Sequence, residues 1–176
     1  MKEEIKVKRL IAEEEIKKRV KELAKEISSD YKNSVPVLVG ILKGSWVFFA
    51  DLVREMKIPV ICDFISIASY GKKTKSSGRI KLEKGLREKV KGKEIIIIED
   101  IIDTGLSLKY LLQYLKRKKP KSIAICALLD KEERREVKIP VKYVGFKVPN
   151  KFIVGYGIDY AERFRYLPYI GYIERE

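Results

Sequence analysis

Four consecutive isoleucines, Ile95 to Ile98, run directly into Glu99-Asp100-Ile101-Ile102-Asp103-Thr104-Gly105-Leu106-Ser107. No other segment restricts the fold as tightly. β-branched residues in a short apolar run favour a strand over a helix, and a strand without alternating polar residues is buried on both faces, as in a parallel sheet covered by helices. Strand 94–98 should therefore end abruptly in two acids at the carboxyl edge of such a sheet, where α/β proteins bind their ligands. Leu108, Leu111, Leu112 and Leu115 then recur at helical spacing, so the Gly105 turn should open a helix.

The same pattern recurs along the chain. Ile16, Val20, Leu23 and Ile27 mark one face of an amphipathic helix over residues 12–29. VPVLVGI (35–41) reads as a second buried strand that runs through LKGS into a helical stripe of Phe49, Leu52, Val53 and Met56. Further strands are expected at 60–67, 122–129 and 141–147. Strands alternating with helices predict an α/β fold, a parallel sheet flanked by helices. At 176 residues the whole chain, 1–176, is expected to be one domain, since ~100–200 residues is the usual domain size. SYGKKTKSSGRI, rich in Gly, Ser and Lys, reads as a mobile loop placed where a lid would close.

Composition removes several chemistries. With no histidine and two cysteines, the chain has no Ser-His-Asp triad, no H-E-x-x-H zinc site and no four-cysteine zinc site. Cys62 and Cys126 lie in apolar runs and are expected to be small buried hydrophobes. The absence of a long uncharged apolar run and of a signal-peptide pattern predicts a cytoplasmic protein without a membrane partner. The formal charge of +14 is concentrated: residues 57–93 hold eleven Lys/Arg against three Asp/Glu, and KRKKPK (116–121) adds five more positive charges. Such a field suits a polyphosphate ligand as well as RNA or DNA. Nucleic acid is the less favoured partner, because the residues before the first buried strand offer one clear amphipathic helix and no helix-turn-helix.

Glu99 and Asp100 are candidates for holding hydroxyls or a hard cation such as magnesium, and Asp103 is a candidate base. The amides from Thr104 to Ser107, at a helix start, form a candidate anion pocket. No G-x-x-x-x-G-K-[ST] occurs, and Gly155 and Gly157 are followed by Tyr160 where a dinucleotide fingerprint needs glycine. By residue type alone, Lys131 reads as a solvated lysine, Phe152 as a core aromatic, and Asp159 with Arg165 as a surface ion pair.

Seven segments in order, LKG (42–44), SYG (69–71), EDIIDTG (99–105), LLDK (128–131), VGF (144–146), KFIVGYGIDYAERFR (151–165) and LPYIGYI (167–173), resemble the type I phosphoribosyltransferases. Over residues 35–173 they resemble the hypoxanthine-guanine phosphoribosyltransferase family in particular. The resemblance implies a small hood built from the terminal segments, with helix 12–29 as a candidate part of it. It implies magnesium, 5-phosphoribosyl 1-pyrophosphate and hypoxanthine or guanine as ligands, a role in purine salvage, and a homodimer or homotetramer.

Residue by residue, it implies that Glu99 and Asp100 hold the ribose hydroxyls with magnesium, that Thr104, Gly105, Leu106 and Ser107 cradle the 5′-phosphate, and that Asp103 takes the purine proton. Leu106 stands where some relatives carry a polar residue, which leaves its backbone amide as the contact. Lys43 and Gly44 would present a backbone amide to pyrophosphate through a non-proline cis peptide. Ser69 and Tyr70 would lie on the lid, and Arg165 would reach the same pyrophosphate. On the base side, Lys131 would donate to the purine O6, Phe152 would stack on the ring and Ile153 would contact it through its backbone. Asp159 would offer a carbonyl and a water-mediated link to magnesium. The alternatives are a xanthine-preferring transferase and a regulatory protein that keeps the pocket but binds RNA or DNA.

Overall fold

The structure is a computed structural model and describes residues 5–70 and 79–174. Its elements, in chain order, are β1 (Val7–Ile11), α1 (Glu13–Asp30), β2 (Val37–Leu42), α2 (Trp46–Glu55), β3 (Ile61–Tyr70), β4 (Arg79–Lys84), β5 (Glu94–Ile102), α3 (Leu106–Lys116), β6 (Ser122–Asp130), a 3-10 turn (Glu132–Arg134), β7 (Tyr143–Lys147), β8 (Phe152–Val154) and β9 (Ile170–Ile173). Among the described residues the main sheet has the order β4-β3-β2-β5-β6-β7. Every neighbouring pair is parallel except β3 with β4.

The expected α/β architecture is present, and the side chains explain it. Along β5, Ile96 and Ile98 enter the core shared with α1 and α2, together with Leu38, Cys126 and Leu128. Ile95 and Ile97 enter the core under α3, together with Val37, Val39, Ile125 and Ala127. Successive side chains of a strand point to opposite faces, so a strand covered on both sides must be apolar at every position. Full burial of each isoleucine contributes about 1.5–3 kcal/mol.

Helix α1 buries Ile16, Val20, Leu23, Ala24 and Ile27. Its start is fixed by Glu15, whose Oε2 accepts a hydrogen bond from the Ala12 amide at 2.8 Å, and three acids in the first turn complement the positive end of the helix dipole. Tyr31 ends it, donating its amide to Ile27 O. α1 lies against α2 and β7, so it flanks the main sheet. A separate antiparallel sheet, β1-β9-β8, joins the two terminal segments in the place expected of the hood, and α1 is not part of that sheet.

Three further details differ from expectation. β5 continues through both acids to Ile102, so Glu99 and Asp100 are buried strand residues, 8% and 9% exposed. Cys62 is exposed while Cys126 is buried; β4 pairs with β3 only from Ser66 onward, which leaves the start of β3 as an outer edge. The loop expected to reach residue 80 gives way to strand at Arg79. Lys72, Lys73 and Lys75, in the expected lid, lie outside the described residues. No helix among the described residues is long and apolar enough to cross a membrane.

Candidate functional site

The carboxyl ends of β2, β5 and β6 meet at one edge of the main sheet, and each delivers a short polar turn there. After β2, the Leu42–Lys43 peptide is cis. A Cβ built on Gly44 would stand 1.8 Å from Asp100 Oδ2, so only glycine lets this turn lie against the acid on β5. After β5, Asp103, Thr104 and Gly105 lead into α3, and Gly105 adopts φ +82°. A side chain there would also meet Ile139 Cδ1 at 2.7 Å, so the turn is roofed by the chain that follows β6. The Leu106 amide faces Thr104 Oγ1 at 3.4 Å.

Glu99 lines the cavity under this turn, while Asp100, next along β5, lies against Gly44, and the two carboxyls are within hydrogen-bonding reach of each other. Burial, and then the neighbouring Asp100 carboxylate, push the Glu99 carboxyl well above its ordinary range. Two adjacent acids away from water attract either a proton or a cation. No group of three or more His, Cys, Asp or Glu side chains among the described residues converges on a metal position. A cation held by Glu99 and Asp100 would therefore draw its other ligands from substrate oxygens and water, which is the habit of magnesium rather than of calcium or zinc. The donor set fits magnesium on those terms.

Asp103 is shared by two cavities. One, of about 210 Å³, is lined by Glu99, Asp103, Thr104, Gly105 and Ser107, with Ile41 among the apolar side chains. The other, of about 630 Å³, is lined by Asp103, Lys131, Arg134, Phe152 and Tyr172. Lys131 Nζ is 3.6 Å from Asp103 Oδ2, and Arg134 Nε donates to Asp103 Oδ1 at 3.0 Å. Lys131 is buried at 8% exposure, against its surface reading by residue type, and Phe152 is 42% exposed, against its core reading. The Phe152 ring meets Tyr160 edge to face with centroids 5.2 Å apart and opens into the larger cavity. Ile153 is buried in β8 opposite Tyr172.

Asp159 and Arg165 form an ion pair at 2.9 Å, only 29% and 18% exposed. Arg165 Nη1 also donates to Gly157 O at 2.7 Å, and its Nε is buried without a partner. Their loop lies on the β2 turn: Lys43 Nζ reaches Glu162 Oε1 at 3.0 Å, and a Cβ on Gly157 would stand 2.6 Å from Gly44 O. Tyr156, Ala161, Glu162 and Phe164 all have positive φ, a concentration of strained backbone of the kind found at binding sites. Asp159 is thus tied to Arg165 and stands outside any cluster with Glu99 and Asp100.

The structure therefore gathers Lys43, Gly44, Glu99, Asp100, Asp103, Thr104, Gly105, Leu106, Ser107, Lys131 and Phe152 along one sheet edge. Ser69 and Tyr70 end β3, opposite Ile80 and Arg79, and their side chains lie outside the described residues. Sequence reasoning overlooked Arg134. Its only signal is the i, i+3 spacing from Lys131 in DKEERRE, which matters only once that segment is known to form a 3-10 turn. It also overlooked Lys151, whose ammonium stacks 3.6 Å from the Tyr172 ring beside the larger cavity.

Residues 6–161 match the family described as phosphoribosyl transferase domain, and the acid pair, the glycine-opened helix and the roofed cavity all fall within that span. Hypoxanthine-guanine phosphoribosyltransferase of Aquifex aeolicus is 51% identical, covering 96% of each chain. The Bacillus subtilis enzyme of the same name is 50% identical over 94% of this chain and 92% of its own. A crystal structure of a hypoxanthine-guanine phosphoribosyltransferase from Bacillus anthracis superposes with a TM-score of 0.92 at 48% identity, covering 97% of this chain and all of that one. This chain belongs to the hypoxanthine-guanine phosphoribosyltransferase family.

Proposed function

We propose that the protein is a cytoplasmic purine-salvage enzyme that transfers the 5-phosphoribosyl group of 5-phosphoribosyl 1-pyrophosphate to hypoxanthine or guanine, giving IMP or GMP and pyrophosphate. The observation that carries this reading is the place of Asp103, common to a phosphate-sized cavity under α3 and a base-sized cavity beside Lys131 and Phe152. A group so placed reaches both the sugar and the base.

In the small cavity, Thr104 to Ser107 receive the 5′-phosphate with their amides and hydroxyls, at the positive end of α3. Glu99 and Asp100 take the ribose hydroxyls, and they are the residues that would hold magnesium, with Asp159 contributing through water. When bound, magnesium neutralises charge on the departing pyrophosphate. Lys43, through its amide in the turn with Gly44, and Arg165 face that group, and Ser69 and Tyr70, the last residues of β3, are its remaining contacts. Excluding water protects the electron-poor ribose carbon from hydrolysis.

In the large cavity, Phe152 offers a ring face to the purine, Ile153 its backbone, and Lys131 a donor for O6. An entering 6-oxopurine gives Lys131 an acceptor and leaves an Asp103 oxygen free to take the ring proton. The carbon–oxygen bond to pyrophosphate breaks with its electron pair while a purine nitrogen bonds to the ribose carbon. Positioning and preorganised charge do most of this. Self-association as a homodimer or homotetramer belongs to the same proposal; Trp46, 52% exposed at the start of α2, is a side chain that an interface would cover.

Lys131 makes the reading testable. An ammonium has three donors and no acceptor, so the 6-amino group of adenine meets it donor to donor. Sites built around such a bond discriminate by up to ~10⁴–10⁵, against ~10–200-fold from shape alone. Hypoxanthine should exceed adenine in kcat/KM by far more than the shape limit, and Lys131→Ala should remove most of the difference. Comparable rates for the two bases in the wild type would show that the pocket has been misread.

A further inference from the structure

Among the described residues, the most deeply buried ion pair is Asp130 with Arg135. The carboxylate is 4% exposed and the guanidinium side chain 17%. One oxygen, Asp130 Oδ1, accepts from Arg135 Nη2 at 2.8 Å and from Nε at 3.2 Å. Neither residue is among those lining the two site cavities. Breaking such a pair is costly, yet well-packed apolar side chains of similar volume would serve stability as well, so stability alone does not account for the pair.

What this pair enforces is visible in the chain between its members. Asp130 is the last residue of β6, fixed between Ile102 on β5 and Lys147 on β7, while Arg135 follows the 3-10 turn. Backbone bonds fasten the same loop at both ends: the Lys131 amide donates to Ile102 O and the Glu136 amide to Thr104 O, each at 3.0 Å. From this loop, Lys131 and Arg134 converge on the two oxygens of Asp103. The loop therefore carries the donor for the purine and a second cation beside the base. Without a brace, side chains as long as lysine and arginine have several rotamers available on so short a turn.

We propose that Asp130 and Arg135 are positioning residues of the base pocket, whose ion pair holds the 131–135 loop so that Lys131 meets the 6-oxo group and Arg134 stays beside Asp103. The role rests on the purine-pocket reading given above. It confers base discrimination without contact to the base, and it leaves the phosphoribosyl half of the site alone.

Asp130→Asn keeps the side chain's shape and removes its charge. Arg135→Lys keeps the charge and loses the two-nitrogen grip. The double variant Asp130→Asn/Arg135→Gln strands no buried charge and serves if a single variant does not fold. Each is measured for kcat/KM with hypoxanthine and with adenine and for the KM of both substrates, alongside Lys131→Ala and Lys131→Ala/Asp130→Asn.

A displaced reacting group costs up to about a hundredfold, so the hypoxanthine-to-adenine ratio should fall by about tenfold to a hundredfold. The KM for hypoxanthine should rise while that for 5-phosphoribosyl 1-pyrophosphate does not, a split that general loosening would not produce. On the hypoxanthine-to-adenine ratio, Asp130→Asn should add nothing to Lys131→Ala, because residues acting through one another are not additive. A folded Asp130 variant with the wild-type ratio, or an additive loss in the combined variant, overturns the positioning role alone. A Lys131→Ala enzyme that keeps full discrimination overturns the purine-pocket reading and the positioning role with it.

Discussion

Replacing Asp103 by Asn separates chemistry from folding more cleanly than any other single change at the site. The amide keeps an oxygen that can accept from Arg134 Nε, now at 3.0 Å, and turns its nitrogen toward Lys131, 3.6 Å from the other oxygen in the wild type, so the contact with Arg134 should persist while the capacity to take a proton is lost. A general base contributes ~10²–10⁴-fold, about 2.7–5.4 kcal/mol at 1.36 kcal/mol per tenfold. The stability lost is much smaller. Asp103 and Arg134 are 44% and 46% exposed, and ion pairs that open to solvent contribute about 0–1 kcal/mol, equivalent to at most about 2–4 °C in Tm for a domain of this size. Stopped assays of IMP formation with hypoxanthine, paired with thermal melts and with the KM for 5-phosphoribosyl 1-pyrophosphate, read all three quantities. The expected variant melts within a few degrees of the wild type, keeps its phosphoribosyl KM and loses turnover by about two to four orders of magnitude. An unchanged turnover number would refute the assignment of Asp103 as the base.

Gly44→Ala places a methyl group on Asp100 Oδ2; overpacking of this kind costs about 1–3 kcal/mol of stability and displaces the β2 turn, so Tm should fall and the KM for 5-phosphoribosyl 1-pyrophosphate should rise, and a variant with the wild-type KM would remove the β2 turn from the site. The raised Glu99 carboxyl sets a pH dependence: a folded-state pKa above the unfolded value stabilises below the unfolded value and loses that stabilisation as pH rises through the folded one. The ligand-free protein should therefore lose Tm on this account as pH rises above the ordinary carboxylate range, Glu99→Gln should flatten the trend, and magnesium with 5-phosphoribosyl 1-pyrophosphate should raise Tm more at the higher pH. A magnesium effect that is the same at both pH values, or that survives in Glu99→Gln, would argue against this cation site.

The interior of the fold was legible because its strands are apolar along nearly their whole length, as a core on both faces requires; β2 and β6 fall where VPVLVGI and SIAICALL place them, and β5 begins where EIIII does and runs on through the two acids to Ile102. The hood strands were not. VKRLI in β1 carries two cations, β8 has three residues and β9 four, too few for alternation to stand out, and each gains its partners from a distant part of the chain. β4 does alternate, with Ile80 and Leu82 between charged residues, but a lysine-rich edge strand reads like the loop before it. At the site, residue types and order marked the acids and the glycine turn. They gave no sign that Lys131 would be buried, or that Arg134 would reach Asp103, because both depend on the turn that Asp130 and Arg135 close.

The central claim is that one sheet edge holds a phosphoribosyl pocket and a 6-oxopurine pocket joined at Asp103. Its most direct test is to incubate the purified protein with magnesium, 5-phosphoribosyl 1-pyrophosphate and hypoxanthine, guanine, xanthine or adenine in turn, and to quantify nucleotide and pyrophosphate. The structure predicts IMP and GMP with equimolar pyrophosphate and no AMP above background; pyrophosphate release without nucleotide, or AMP formed as readily as IMP, would contradict it.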